Sequence, residues 1–371
     1  MKAVAVFPEQ REVRVIDCED PGGPEAGQVR LRMRDVGICG TDREIAQFKY
    51  GTPPAGADHL ILGHEGLAEV EAVGGDVSGL SVGDLVVPMV RRPCQHSHCR
   101  SCRVGRQDFC YTGDFVESGI KGAHGYMREA CIDEPAYLVS VPKELERYGV
   151  LVEPLSIAEK ALEQVWQVQQ RLPWSCDPRV DREKAWCHRA VVLGAGPIGL
   201  LGAMAMVTMG FETYVYSREA ADSERAALAR SFDAQYISSS DVPVEELAGQ
   251  LGEIDVVYEA TGASGLAFAA LERLGVNGVF ILTGVPGEKA PESVEAARIM
   301  RRLVLQNQVI FGTVNAGRGA HEGAVRDLGQ FARRWPDAMN QLITRRITLD
   351  EVPAALAEAS GIKTVIEFYN G

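Results

Sequence analysis

The chain has 371 residues, 46% hydrophobic and 24% charged, enough material for two or three folded domains with cores of their own. A formal net charge of -13 argues against nucleic acid or an anionic membrane surface as partner. No stretch approaches the roughly 18 uninterrupted apolar residues of a membrane span, and the N-terminus lacks the apolar run and cleavage site of a signal peptide, so a cytoplasmic protein is expected.

Residues 1–35 alternate apolar and polar side chains at Val4, Val6, Val13 and Val15, and again at Val29, Leu31 and Met33, a half-buried strand pattern interrupted by the loop Pro21-Gly22-Gly23-Pro24. The turn Gly37-Ile38-Cys39-Gly40-Thr41-Asp42 follows, with glycines that let the backbone bring a thiolate forward. Gly63-His64-Glu65-Gly66 then sets an imidazole beside a carboxylate. Together with Glu153 of Leu151-Val152-Glu153-Pro154-Leu155, these residues supply the donor types of a catalytic zinc site: three protein ligands and one open position. Further short strands are predicted at 67–74 and 82–88, and glycine turns between them suggest a barrel-like β-domain.

Cys94, Cys99, Cys102 and Cys110 put four thiols into seventeen residues, the pattern of a closed structural zinc site in a reducing compartment. The first gap is long, and His96, three positions before Cys99, is an alternative to Cys94 as the first ligand. Read locally, Glu117 is an ordinary surface acid and His124 a residue that satisfies a backbone carbonyl. Ser156-Ile157-Ala158-Glu159 has capping-box spacing, which predicts a helix beginning just after Glu153. A proline-containing, charged stretch from 172 to about 184 reads as a linker.

Next come a strand at Arg189-Ala190-Val191-Val192-Leu193, the loop Gly194-Ala195-Gly196-Pro197-Ile198-Gly199, a helix at 200–209 and a second strand at 212–216. In that context the G-x-G-x-x-G loop predicts dinucleotide binding: its glycines admit a pyrophosphate against backbone N–H groups at a helix N-terminus. An acid at the end of the second strand would select NAD; Ser217-Arg218 favours the 2′-phosphate of NADP, while Glu219 keeps NAD open. Later strands end in loops carrying Thr261, Thr283 with Gly284, and Thr313-Val314-Asn315, the strand ends at which open parallel sheets bind ligands.

The two ligand turns, the four-cysteine lobe, Glu153-Pro154-Leu155 and Gly194 to Gly199 make the chain resemble the zinc-containing medium-chain dehydrogenases over essentially its whole length. Within them it is similar to the glucose 1-dehydrogenase branch, through Val90-Arg91-Arg92-Pro93, Val104-Gly105-Arg106-Gln107-Asp108, residues 122–129, Glu153 to Lys160, and Val314-Asn315. The resemblance implies an α/β protein: a GroES-like β-barrel catalytic domain over 1–170 with a structural-zinc lobe at about 93–112, a Rossmann doubly wound parallel sheet over 185–312, and a segment, 313–371, returning to the catalytic domain. It implies catalytic zinc on Cys39, His64 and an acid from Glu65 or Glu153, one of which acts through water. Sugar contacts are implied for Thr41, Glu117, Glu153 and Asn315, and cofactor contacts for Ser217, Arg218, the 313–315 loop and Lys363. Many alcohol-oxidising relatives carry a His where this chain has Asp42, so their proton path does not transfer. The expected activity is oxidation of an aldose at C1, D-glucose to the lactone, with hydride passing to NADP or NAD. Oxidation of another sugar or polyol, or a non-catalytic NADP-binding sensor, are the alternatives. A small-molecule sugar partner and a homo-oligomer, dimer or tetramer, are expected.

Overall fold

The computed structural model describes residues 1–172, 188–287, 291–358 and 360–368. The predicted linker at 172–184 lies, but for Leu172, outside them. The chain divides into two compact units: 1–156 with 315–332 and 342–371, and 157–314 with 333–341.

The first unit is built on antiparallel sheet. Its long central strand, Val29–Ile38, pairs with Glu65–Val73, Ala130–Asp133 and, near its end, Lys363–Glu367. The alternation read in the sequence follows burial: Val29, Leu31 and Met33 are buried, with half-buried arginines between them. Val4, Val6, Leu60, Val70 and Ile366 belong to the same core. The C-terminal strand Lys363–Glu367 also receives Ile343–Ile347 in parallel, so the end of the chain is part of the sheet that carries Cys39.

The second unit holds six parallel strands in the spatial order Gln235–Ser238, Glu212–Ser217, Arg189–Leu193, Val256–Glu259, Val279–Leu282, Val309–Gly312. That order reverses direction between Arg189–Leu193 and Val256–Glu259, which puts a ligand crevice at the carboxyl ends of these two strands. The helix Pro197–Thr208 follows the first of them and is apolar throughout, as a helix covered by sheet and neighbours must be.

The helix after Glu153 differs from expectation. It spans Val152–Gln169, starting before the capping-box residues. Proline is tolerated in a first helical turn because its missing N–H has no partner there, so Pro154 does not delay the helix. Ser156 sits inside it and donates its hydroxyl to the Glu153 carbonyl at 2.6 Å instead of capping. The two compact units part within this helix, between 156 and 157. Its later turns are tied to the second unit: Gln164 donates to the Thr313 hydroxyl at 2.7 Å and Gln169 to the Asn277 carbonyl at 2.8 Å. No helix among the described residues is long and apolar enough to cross a membrane.

Candidate active site

The strand register of the first unit assembles one donor cluster. Gly37 lies opposite Glu65, and Ile38 opposite Thr364, so Cys39, His64, Glu65 and Lys363 meet at the ends of three adjacent strands. One ligand atom each of Cys39, His64 and Glu65 lies within 4.8 Å of the other two. A Cβ on Gly37 would fall 2.1 Å from Glu65 Oε2 and 2.7 Å from Lys363 Cε, so only glycine leaves room for these side chains to cross the strand.

Asp42 holds the two turns together. Its Oδ2 accepts the Cys39 N–H at 2.8 Å, its Oδ1 accepts the Gly63 N–H at 3.3 Å, and Oδ1 stands 3.4 Å from His64 Nδ1. Its role follows from the close approach of residues 21 positions apart, which spacing alone does not reveal. Thr41, on the same short helix, Gly40–Ala46, is half-buried.

Burial opposes a charge on His64, yet Asp42 and Cys39 beside it raise its pKa well above the ordinary histidine value. Burial likewise opposes the Lys363 ammonium, but Glu65 and Cys39 hold it protonated. Glu153 is buried and pushed up to about 7, by burial first and then by Glu65, against the pull of His64 and Lys363. It lies in the electrostatic neighbourhood of the cluster but outside the three residues whose ligand atoms converge. His64 Nδ1 and Glu65 Oε2 are buried without a well-aligned hydrogen bond. A soft, a borderline and a hard donor converging in a buried cluster is a set that fits zinc.

Lys363 is buried in this cluster. Its ammonium pairs with Glu65 and donates to the Ile38 carbonyl at 3.2 Å.

The expected sugar-facing residues Glu117 and Asn315, 198 positions apart, touch. Glu117 Oε1 accepts from Asn315 Nδ2 at 3.1 Å and from Arg91 Nε and Nη2 at 3.0 and 2.9 Å. Glu117 is buried, so the local reading of it as a surface acid is corrected: the Arg91 guanidinium makes a buried carboxylate tolerable. Asn315 has φ 58° and accepts the Ala316 N–H at 2.9 Å, which fixes which way its amide points. His124 does not hold a carbonyl; its Nδ1 accepts the Ile61 N–H at 3.1 Å.

In the four-cysteine lobe the sulfurs of Cys94, Cys99, Cys102 and Cys110 all lie within 4.8 Å of one another. Cys94 and Cys102 are 3.7 Å apart, and Cys99 and Cys110 3.9 Å. Four sulfurs at about 2.3 Å from a tetrahedral zinc stand roughly 3.8 Å apart, so this cage fits the ion. His96 is outside it, exposed and paired with Asp114 at 2.5 Å. Cys94 is therefore the fourth member of the cage.

The second unit presents the glycine loop as read from sequence. Gly194 has φ 107°, and a Cβ on Gly199 would fall 2.1 Å from the Gly194 carbonyl oxygen, so the loop closes tightly against the N-terminus of Pro197–Thr208. Nothing lies within 4 Å of the Cβ position of Gly196, which leaves its backbone open to a pyrophosphate and makes the cradle fit a dinucleotide. Ala195 and Ile198 complete that turn. Ser217 ends the second strand; its hydroxyl donates to Glu219 at 2.5 Å, while Arg218 extends into solvent. Val314 accepts Lys160 Nζ on its carbonyl at 3.1 Å.

Glu259 was not found from sequence. It is buried at the end of its strand, where Oε1 accepts the N–H of Thr261 at 2.6 Å, its hydroxyl at 2.5 Å, and the Gly262 N–H at 2.9 Å. Its Oε2 accepts the Gly284 N–H at 3.2 Å, and its carbonyl accepts the Thr283 hydroxyl at 2.6 Å. One side chain thus clasps both loops expected to meet the cofactor. An acid closing an apolar strand before Thr-Gly was the available signal.

Comparison with known proteins covers the whole chain. The family model "Glucose dehydrogenase C-terminus" matches residues 146–368, and "Alcohol dehydrogenase GroES-like domain" matches residues 25–143. The chain is 39% identical over 369 residues to a glucose 1-dehydrogenase of Methanocella arvoryzae, covering 99% of both chains. It is 40% identical over 372 residues to a glucose 1-dehydrogenase of Metallosphaera sedula, again covering 99% of both. Among solved structures, the glucose dehydrogenase of Haloferax mediterranei in complex with NADP, Zn and gluconolactone superimposes with a TM-score of 0.87, at 34% identity and full coverage of both chains.

Proposed function

We infer the activity from a premise: the chain belongs to the glucose dehydrogenase family, within the zinc-containing medium-chain dehydrogenases, with a GroES-like domain and a Rossmann domain. It is an NAD(P)-dependent glucose 1-dehydrogenase that oxidises D-glucose at C1 to D-glucono-1,5-lactone. The observation that carries this reading is the convergence of Cys39, His64 and Glu65.

Cys39, His64 and Glu65 would hold the catalytic zinc, with Glu153 as the acid exchanging with Glu65 or acting through water, and the four cysteines would hold the structural zinc. Zinc, when bound, supplies Lewis acidity that eases loss of a proton from a hydroxyl. The nicotinamide cofactor supplies the hydride acceptor, and the protein supplies position and electrostatics. The Thr41 hydroxyl takes the sugar's proton first and passes it toward solvent. Glu117, gripped by the Arg91 fork, and Asn315 Nδ2 beside it set acceptor and donor groups side by side, so hydroxyl-bearing substrates are oriented and analogues lacking hydroxyls are rejected. Gly194 to Gly199 cradle the pyrophosphate; Ser217 and Arg218 meet the 2′-phosphate; Thr261, Thr283, Gly284, Thr313 and Val314 face the rest of the cofactor. The protein works in the cytoplasm, where a reducing pool keeps the four thiols available to metal.

A second copy of the chain is the partner, in the second unit. Val309–Gly312 is an edge strand, and the helix Ala296–Leu305 buries none of its residues while exposing Met300, Val304 and Leu305. Such an edge and apolar face call for cover. Light scattering of Val304→Asp against the parent tests this.

The function is tested by metal analysis together with NADP reduction over a panel of aldoses and polyols. Two zinc per chain and glucose-dependent growth of absorbance are expected; tight NADP binding with no turnover on any sugar would overturn the reading.

A further inference from the structure

We propose that Glu219 sets the balance between the two nicotinamide cofactors, by competing with a ribose 2′-phosphate for Ser217 and Arg225. The inference rests on the reading above that the second unit binds a nicotinamide dinucleotide.

Three observations place Glu219 at that position. The strand Glu212–Ser217 runs parallel to Arg189–Leu193, and Tyr216 lies opposite Leu193, so Ser217 stands level with the start of the glycine loop. The Gly194 N–H donates to the Tyr216 carbonyl at 2.8 Å, which ties the loop to this strand end. Ser217 then spends its hydroxyl on Glu219 Oε2 at 2.5 Å.

Arg225 comes from the helix Glu224–Ser231 and touches both parties. Its Nη1 donates to the Ala195 carbonyl of the glycine loop at 3.0 Å and lies 3.6 Å from Glu219 Oε1. Arg218 Nε is 4.0 Å from the same oxygen. The Glu219 main chain is anchored as well, since the Tyr236 hydroxyl donates to its carbonyl at 3.0 Å. The carboxylate is therefore presented from a fixed backbone to one hydroxyl and two guanidinium groups. Burial opposes its charge, but Ser217, its own backbone and the two arginines keep its pKa below the usual range, so it is ionised at neutral pH.

The consequences for the two cofactors have opposite sign. A 2′-phosphate needs the same hydroxyl and cations that Glu219 occupies, and it meets a like charge there. A 2′-hydroxyl needs an acceptor, and Glu219 is one. The arginines favour NADP, Glu219 favours NAD, and the chain accepts both with Glu219 setting the ratio. Sequence order disguises the part of Arg225, which lies six positions beyond Glu219 on the following helix.

The test is equilibrium binding to the metal-loaded protein, read by tryptophan fluorescence, with NADP, NAD, 2′,5′-ADP and 5′-AMP. Glu219→Gln should tighten NADP and 2′,5′-ADP and weaken NAD, moving the NADP-to-NAD ratio of Kd values by roughly tenfold or more, while 5′-AMP binds within twofold or so of the parent. Arg225→Lys, which keeps the charge but loses the fork, should weaken 2′,5′-ADP more than 5′-AMP. A Glu219→Gln ratio equal to the parent's, or equal gains for both cofactors, would overturn this inference alone. A parent protein that binds neither dinucleotide would overturn the underlying reading with it.

Discussion

Replacing Arg91 by methionine would strand a buried carboxylate, and the cost follows from the hydrogen bonds that the guanidinium makes. Arg91 and Glu117 are both buried. Arg91 gives Glu117 two bonds, at 3.0 and 2.9 Å, and a third to the Asp108 carbonyl at 3.2 Å; its guanidinium also lies 3.7 Å above the Phe115 ring. Methionine preserves apolar contact with that ring and supplies no donor. Among the described residues Glu117 would keep only Asn315 Nδ2 as a side-chain donor. Removing one partner of a buried pair costs about 3–5 kcal/mol, most of it the penalty of the charge left behind. For a unit of this size each kcal/mol lowers the melting midpoint by about 2–4 °C, so a fall of roughly 6–20 °C is expected. Adding Glu117→Leu removes the stranded charge, and the double variant should recover most of the loss while binding glucose poorly. Thermal melts of the parent, both single variants and the double variant measure the coupling. Destabilisations that simply add, or an Arg91→Met protein that melts with the parent, would refute the argument.

Cys94→Ser should cost one zinc per chain and lower the melting temperature, because a closed zinc site contributes folding free energy, whereas His96→Ala should keep the parent's zinc content. Cys39→Ala should lose the other zinc and nearly all glucose turnover while the four-cysteine zinc stays, as metal analysis beside activity will show. His321 is buried and its pKa is lowered to about 4 by burial, against 6.5 ordinarily. A histidine depressed in the folded state contributes stability that is full above pH 6.5 and lost as pH falls through 4, on the order of 3 kcal/mol here, so His321→Phe should flatten denaturant-measured stability across that window. Glu259→Gln should raise the Kd for NADP by roughly ten- to a hundredfold with zinc content unchanged, because an amide cannot accept all the donors the carboxylate now accepts; unchanged NADP binding would deny Glu259 its positioning role.

Much of the site was legible because its parts are local. The strand, glycine loop and helix around Gly194 to Gly199 occupy one stretch, and four thiols in seventeen residues announce themselves without a fold. Chemistry made by register was hidden. Lys363 reaches Glu65 only because Ile38 pairs with Thr364 while Gly37 pairs with Glu65, which no local pattern predicts. Arg91 meets Glu117 only because strand Arg91–Arg92 pairs with Val116–Ser118, where Arg91 falls opposite Glu117. Helix boundaries failed for a different reason. Ser156 to Glu159 satisfies a capping pattern, but a three-residue helical turn over Gly149–Leu151 already leads the backbone into the helix, so no cap is needed at Ser156.

The two units solve the same local problem in the same way. Ligand-bearing turns must hold a fixed shape although their backbone N–H groups have no strand or helix partner, and an unsatisfied buried donor costs about 1–3 kcal/mol. In the first unit Asp42 accepts N–H groups from the Cys39 turn and from the Gly63 turn, joining two segments that each carry a candidate zinc ligand. In the second, Glu259 accepts N–H groups from the Thr261-Gly262 turn and from Gly284, joining two segments expected to face the cofactor. Neither acid need touch metal, sugar or nucleotide to do this. Each turns unpaired donors into charge-assisted hydrogen bonds, which are stronger than neutral ones. Precision in the first unit thus depends on a carboxylate that stays beside the donor cluster without displacing a ligand, and in the second on one buried at the strand end where the sheet order reverses.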